Sequence, residues 1–253
     1  MILTELREGG AMLRITLNSP KGNVLAGAMI AAIDAALDAH VGPGTKLVVF
    51  EGAGKHFSFG ASVEEHQRER ARGMLESFHA LFRKLGKLAI PTCAIVRGQC
   101  LGGGLELASF CSFVIATPDA KLGQPEVRLA VFPPMGSIVL PWRLGGAHAL
   151  DLCVSGRTVT ATDAKRMGLV NEVAEDPEAW LSALWAEAFA GASASSLRFA
   201  ERAARRDLLV RLERDLPELE RMYLDELMNT HDANEGIAAF LERRAPTWEA
   251  RAK

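Results

Sequence analysis

GQCLGGGLELASF, residues 98–110, sets three consecutive glycines directly before a carboxylate inside an apolar run. Gly102, Gly103 and Gly104 bring no side chains to a core. Glu106 stands between Leu105 and Leu107, where an unpaired charge is costly to bury. A glycine run between a strand and a helix can cradle phosphate, but the known signatures fail. There is no G-x-G-x-x-G after a strand with a later acid, and no G-x-x-x-x-G-K-[ST]. Its other use is to let a ligand oxygen approach backbone N–H groups at a helix N-terminus, where the helix dipole adds to the field. Two donors must converge on one point, and the Gly60–Ala61 turn is the candidate for the second. A tight strand–helix crossing explains the glycines equally well on their own.

Glu106 one turn into a helix can face solvent, can satisfy backbone donors, or can serve as a general acid or base with a tuned pKa. A second acid, Glu126, follows in GQPEV behind a proline; alone it reads as a loop acid. Two acids at one pocket beside paired N–H donors suit proton-coupled chemistry next to a carbonyl. His56 and His66 flank the glycine loop without a third ligand at metal spacing, so loop-packing or solvated roles fit and no metal site is expected. Ser58 and Ser62 lack a G-x-S-x-G elbow.

The flanks alternate strand and helix. MLRITLN (12–18), KLVVFEG (46–52) and PTCAIVRG (91–98) read as strands, with another near Phe113–Ala116. AGAMIAAIDAALDAHV (26–41) has apolar residues at helical spacing and stops at Gly42–Pro43–Gly44. The run 121–137 is broken by prolines into loop and short pieces. TATDAKRMGLVNEV (160–173) opens on a helix cap at Thr160 or Thr162. Beyond Asp176 only helices are expected, with a hinge at GASAS (191–195). The class is an α/β core with a helical C-terminal extension.

At 253 residues, about half of them apolar, the chain can bury a sizeable core. Its 29 basic and 31 acidic residues leave a formal charge of −2, which argues against nucleic acid as a principal partner. The basic run 198–214 carries acids at helical spacing and reads as a solvated helix face. Cys93, Cys100, Cys111 and Cys153 show no C-x-x-C spacing and read as buried free thiols. No signal-like segment opens the chain and no apolar run reaches the ~20 residues of a membrane span. These features lead to the expectation of a cytoplasmic protein without a membrane partner.

Taken together, LNSPKGNVL (17–25), FEGAGKHFSFGAS (50–62), GQCLGGGLELASFCSFVIAT (98–117), AKLGQPEVRLAVFP (120–133), VSGRTVTATDAKRMGLVNEV (154–173) and EGIAAFLERRAPTW (235–248) resemble the crotonase superfamily. The resemblance implies a spiral of ββα units over residues 1–190 carrying an acyl-CoA site, and a helical oligomerisation region over 191–253. A homo-oligomer, trimer or dimer of trimers, is implied. Ala61 and Gly103 would supply the oxyanion-hole amides, and Gly60 and Gly102 would stand among the residues that bind coenzyme A and the substrate. Ser58 and Phe59 fall on the adenine-contacting loop, and Lys21, Gly22 and Val24 on the coenzyme A channel. Phe240 and Trp248 would close a neighbouring subunit's channel. Coenzyme A would be part of the substrate, with no separate cofactor.

Within that family, retention of both Glu106 and Glu126 favours addition or elimination of water. The usual glycine pattern after GQPE is replaced by FPPMGS (132–137), placing Pro134 and Met135 near the acyl end. The first loop reads FGASVEEH, where common hydratases have Asp after the alanine. KGNVL, HFSFGASVEEH and FPPMGS together resemble the branch that hydrates cyclic dienoyl thioesters in anaerobic benzoyl-CoA breakdown. That implies cyclohexa-1,5-diene-1-carbonyl-CoA as substrate and 6-hydroxycyclohex-1-ene-1-carbonyl-CoA as product. A straight-chain enoyl-CoA hydratase or isomerase, and a non-catalytic acyl-CoA-binding member, remain the alternatives.

Overall fold

The computed structural model describes residues 1–20 and 22–249. A six-stranded sheet forms its centre, built from β1 (Ile2–Arg7), β2 (Met12–Leu17), β3 (Leu47–Gly52), β4 (Thr92–Val96), β6 (Phe113–Ala116) and β9 (Glu172–Val173) in that order. β1 is antiparallel to β2, and every other pairing in this sheet is parallel. A three-stranded sheet packs β5 (Gln99–Leu101) on β7 (Lys121–Gly123) and β7 on β8 (Thr158–Thr160).

The central strand β4 is buried along its length and β3 is buried at every residue but Glu51, as apolar runs demand of parallel strands covered on both faces. β1 was not expected from the sequence. It is an edge strand with Leu3 and Leu6 exposed, so no inward alternation marks it.

The period-two alternation of β2 and β3 sorts two cores. Leu13, Ile15, Leu17, Val48 and Phe50 join a large cluster with helix α1 (Gly27–His40) and helix α3 (Gly103–Phe110). Met12, Leu47 and Val49 meet Leu181, Trp185 and Phe189 on the opposite face. Leu105, Leu107 and Ala108 of α3 are fully buried in the first cluster. Truncating Leu105 to alanine there would cost about 2–5 kcal/mol.

Helix α2 (Arg68–Leu88) lies against α1, and helix α4 (Pro134–Leu144) against α3. Beyond β9 the chain is helical, as expected. Helix α9 (Arg206–Arg221) inserts Leu208, Leu212 and Leu216 into the first cluster, so the C-terminal helices share the main core. Helix α10 (His231–Glu242) backs the Pro125–Leu129 turn, where a side chain at Gly236 would strike the Leu129 carbonyl at 2.3 Å. The N-cap of the short helix Ala161–Arg166 is Thr160, whose hydroxyl accepts from the Asp163 N–H. All four cysteines are free thiols. No described helix is long and apolar enough to cross a membrane.

Candidate active site

Each glycine of the triplet faces a different neighbour. Gly102 has φ +52°, and a Cβ there would sit 2.7 Å from the Glu126 carboxyl oxygen Oε1. A Cβ at Gly103 would approach the Ala61 nitrogen to 3.1 Å, and one at Gly104 the Ser58 Cβ to 2.7 Å. The triplet therefore lets one strand end meet a carboxylate, a second backbone and a buried loop at once.

The opposing loop is fixed with equal care. Gly60 has φ +98°, and a side chain there would meet the Leu101 carbonyl at 2.8 Å and the Gly103 nitrogen at 3.3 Å. The Gly60 carbonyl accepts from the Leu25 N–H at 2.9 Å. Glu65 accepts from the Gly27 N–H with both oxygens, at 3.2 and 3.0 Å, and ties this loop to the start of α1. Gly103 opens α3, so its N–H has no partner within the helix. Among the described residues, neither the Ala61 N–H nor the Gly103 N–H meets an acceptor. The two unused donors are brought together by the backbone.

Glu106 and Glu126 line one cavity with Ala61, Gly103, Phe132 and Pro134. The space left is small, about 20 Å³ for the centre of a water-sized molecule, which suits one water among polar partners. Glu106 is 4% exposed and accepts the Gly136 N–H at 2.5 Å. Glu126 Oε1 accepts from the Gln124 side-chain amide at 3.0 Å, while Oε2 is buried without a partner among the described residues. Burial pushes Glu106 up to about 7, against the Gly136 hydrogen bond that favours its ionised form. Burial, with the charge of Glu106 adding to it, pushes Glu126 up to about 8. With the stronger backbone bond on Glu106, the pair favours a carboxylate there and a proton on Glu126.

Other expected site residues are dispersed. Gly22 packs under the Phe59 ring, which a side chain would penetrate at 2.0 Å, and the Phe59 N–H donates to the Gly22 carbonyl. Phe59 is 46% exposed and Val24 half-buried, so both can meet a ligand. Lys21 lies outside the described residues. Ser58 does not reach a ligand through its side chain. It is fully buried, and its hydroxyl donates to the Asn23 carbonyl and accepts from the Gly60 N–H, so it shapes the turn. Met135 is also displaced from the expectation; it is fully buried in the core of α4, while Pro134 reaches the cavity. Phe240 and Trp248 are exposed and absent from the cavity wall of the single chain. His56 packs in its loop, its Nδ1 accepting from the Gln99 N–H.

Nothing in the sequence marks the facing wall. Met74, Leu75, Phe78 and His79 of α2, with Tyr223 beyond α9, complete the cavity, and His66 joins them. Helical spacing on α2 marks a buried face, but nothing local shows that it covers a site.

With two unused N–H donors beside two acids in a small cavity, the site belongs to a recognisable class. The chain belongs to the enoyl-CoA hydratase/isomerase family, which it matches over residues 7–251. It is 48% identical to the cyclohexa-1,5-dienecarbonyl-CoA hydratase of Thauera aromatica, over 97% of this chain and 96% of that protein. Among solved structures it resembles an enoyl-CoA hydratase from Mycobacterium avium, with TM-score 0.86, 28% identity and 98% of each chain covered. It also resembles an enoyl-CoA hydratase/isomerase from Xanthobacter autotrophicus, with TM-score 0.81, 28% identity and coverage of 97% and 98%. The crotonase fold and the C-terminal helices expected from the sequence are those of this family.

Proposed function

We propose that the protein hydrates a cyclic dienoyl-CoA thioester, cyclohexa-1,5-diene-1-carbonyl-CoA, to 6-hydroxycyclohex-1-ene-1-carbonyl-CoA. The observation that carries the reading is a pair of buried acids, both with raised pKa values, lining one cavity with two unused backbone donors. The similarity to the Thauera aromatica protein supports the cyclic substrate.

The thioester oxygen sits between the Ala61 and Gly103 N–H groups. Glu106, as carboxylate, takes a proton from water while the water oxygen bonds to the ring β-carbon. The displaced electron pair moves onto the thioester oxygen as a dienolate. The dienolate then re-forms the carbonyl and takes a proton from Glu126 at the remote γ-carbon. Glu106 ends protonated and Glu126 ionised, and one proton transfer between them restores the start. Coenzyme A is part of the substrate, and no separate cofactor enters these steps. Phe59, Gly22 and Val24 would face the coenzyme A moiety. Phe240 and Trp248, exposed in the single chain, would close the channel of another subunit in a trimer or dimer of trimers.

The test is turnover of the dienoyl thioester and of crotonyl-CoA side by side at equal enzyme, read by mass spectrometry. Gain of one water by the dienoyl ester, with little action on crotonyl-CoA, is the expected result. Preference for crotonyl-CoA would make the protein a straight-chain hydratase. Tight binding without turnover of either would make it a binding member of the family.

A further inference from the structure

His79 and Tyr223 form a wall of the cavity that the reaction above does not use. His79 is fully buried in the middle of α2, and its Nδ1 lies 2.6 Å from Oε1 of Glu220, 141 residues away in sequence. A carboxylate accepts, so Nδ1 carries the proton and Nε2 presents a lone pair. That Nε2 is buried and has no partner among the described residues. Tyr223 is 1% exposed, packs against Phe132 with ring centroids 5.5 Å apart, and its hydroxyl is likewise buried and unpartnered. Both side chains line the same cavity as Glu106 and Glu126.

Buried polar atoms without partners destabilise a fold, and two in one small cavity point to a ligand that supplies the missing bonds. The pair consists of one acceptor, Nε2, and one group able to donate, the phenol. A hydroxyl has the matching pair: an oxygen to accept and a proton to give. A purely hydrocarbon acyl chain has neither, and would leave both atoms unsatisfied.

We propose that His79 and Tyr223 bind the hydroxyl group of the product acyl chain, and the water that becomes it. Tyr223 Oη donates to the oxygen, and its proton is accepted by His79 Nε2, with Glu220 holding the imidazole in the required tautomer. The product class is then a compact acyl group hydroxylated on the β-carbon of the thioester, and long unsubstituted chains are disfavoured. This rests on the acyl-CoA reading above, and makes Glu220 a positioning residue that acts through His79.

The test is equilibrium binding in a Glu126→Gln background, which suppresses turnover. Two ligand pairs are compared: 6-hydroxycyclohex-1-ene-1-carbonyl-CoA against cyclohex-1-ene-1-carbonyl-CoA, and 3-hydroxybutyryl-CoA against butyryl-CoA. The hydroxylated cyclic ester should bind about tenfold tighter than its deoxy partner. Tyr223→Phe and His79→Phe should each erase most of that preference and leave the deoxy ester's affinity unchanged, which a merely structural role would not do. If His79→Phe does not fold, Tyr223→Phe alone decides. Equal affinity within both pairs, or equal loss on all four ligands, overturns the hydroxyl-binding wall while leaving acyl-CoA binding intact. Preference confined to the butyryl pair upholds the wall and overturns the cyclic substrate. Binding of no CoA ester overturns both.

Discussion

Two groups of carboxylates lie on opposite faces of the main sheet, and the protein treats them in opposite ways. On one face Arg14, 5% exposed, donates to Glu51 at 2.7 and 2.6 Å and also pairs with Glu178. Arg97 reaches Glu51 at 3.1 Å, and Arg7 reaches Glu178 at 3.3 Å. Glu51 is held below its ordinary pKa because the hydrogen bonds and charge of Arg14 outweigh its burial; Glu178 is lowered mainly by its Arg14 hydrogen bond. On the other face Glu106 and Glu126 have no cation in contact among the described residues, only one backbone N–H and one side-chain amide, and burial drives both upward. The residue type is the same; the partners decide whether an acid is a fixed anion or a proton carrier.

The contrast is broken most severely by removing the acids that lack cations. Glu106→Gln and Glu126→Gln should each lower kcat by about 10²–10⁴, the usual contribution of a positioned acid or base, without loss of fold. Steady-state kinetics beside circular dichroism check this, and Glu51→Gln serves as the control whose turnover per folded molecule stays near the parent's. Next in size is Gly103→Ala. Its Cβ would press on the Ala61 nitrogen, displacing one donor from the other, and kcat should fall on the order of 10².

On the paired face the effect moves from rate to stability. Arg14→Met leaves Glu51 half-buried and without its bidentate partner, and should cost about 2 kcal/mol in denaturant unfolding. The figure lies below that for a fully enclosed pair because Glu178 is 41% exposed and water screens it.

Stability also depends on pH, with opposite signs on the two faces. Glu51 and Glu178 have lowered pKa values in the fold, so their contribution is complete above the ordinary value of 4.5 and is lost as pH falls through the lowered values. Glu106 and Glu126 have raised values, so the fold binds protons that the unfolded chain has released. Their contribution is complete below 4.5 and declines as pH rises through about 7 to 8. Unfolding curves over a pH series should show Glu51→Gln flattening the acid limb and Glu106→Gln the limb toward neutrality.

How much of this could be read from the chain follows the same division. The GGG–Glu106 segment, Glu126 behind its proline and the Gly60–Ala61 turn were legible, because each is a local pattern whose chemistry constrains its spacing. The strands β2, β3, β4 and β6 were legible for a similar reason, as short apolar runs bounded by breakers. The His79–Glu220 pair was not, since it joins helices 141 residues apart and neither residue breaks its helical pattern. Ser58 and Met135 carried no mark showing that one is committed to its own loop and the other to the core. The Arg14 cluster was hidden as well, because a charged residue inside MLRITLN reads simply as the outward half of an alternating strand.

The most direct measurement is infrared difference spectroscopy of the carboxyl groups across a pH titration of the parent, Glu106→Gln and Glu51→Gln proteins. A protonated carboxylic acid band should persist at neutral pH in the parent and in Glu51→Gln, and change only in Glu106→Gln, because the cavity pair retains a proton there. Its absence from the parent at neutral pH, with all carboxyls titrating in the ordinary acidic range, would contradict the assignment of Glu106 and Glu126 as a proton-sharing pair.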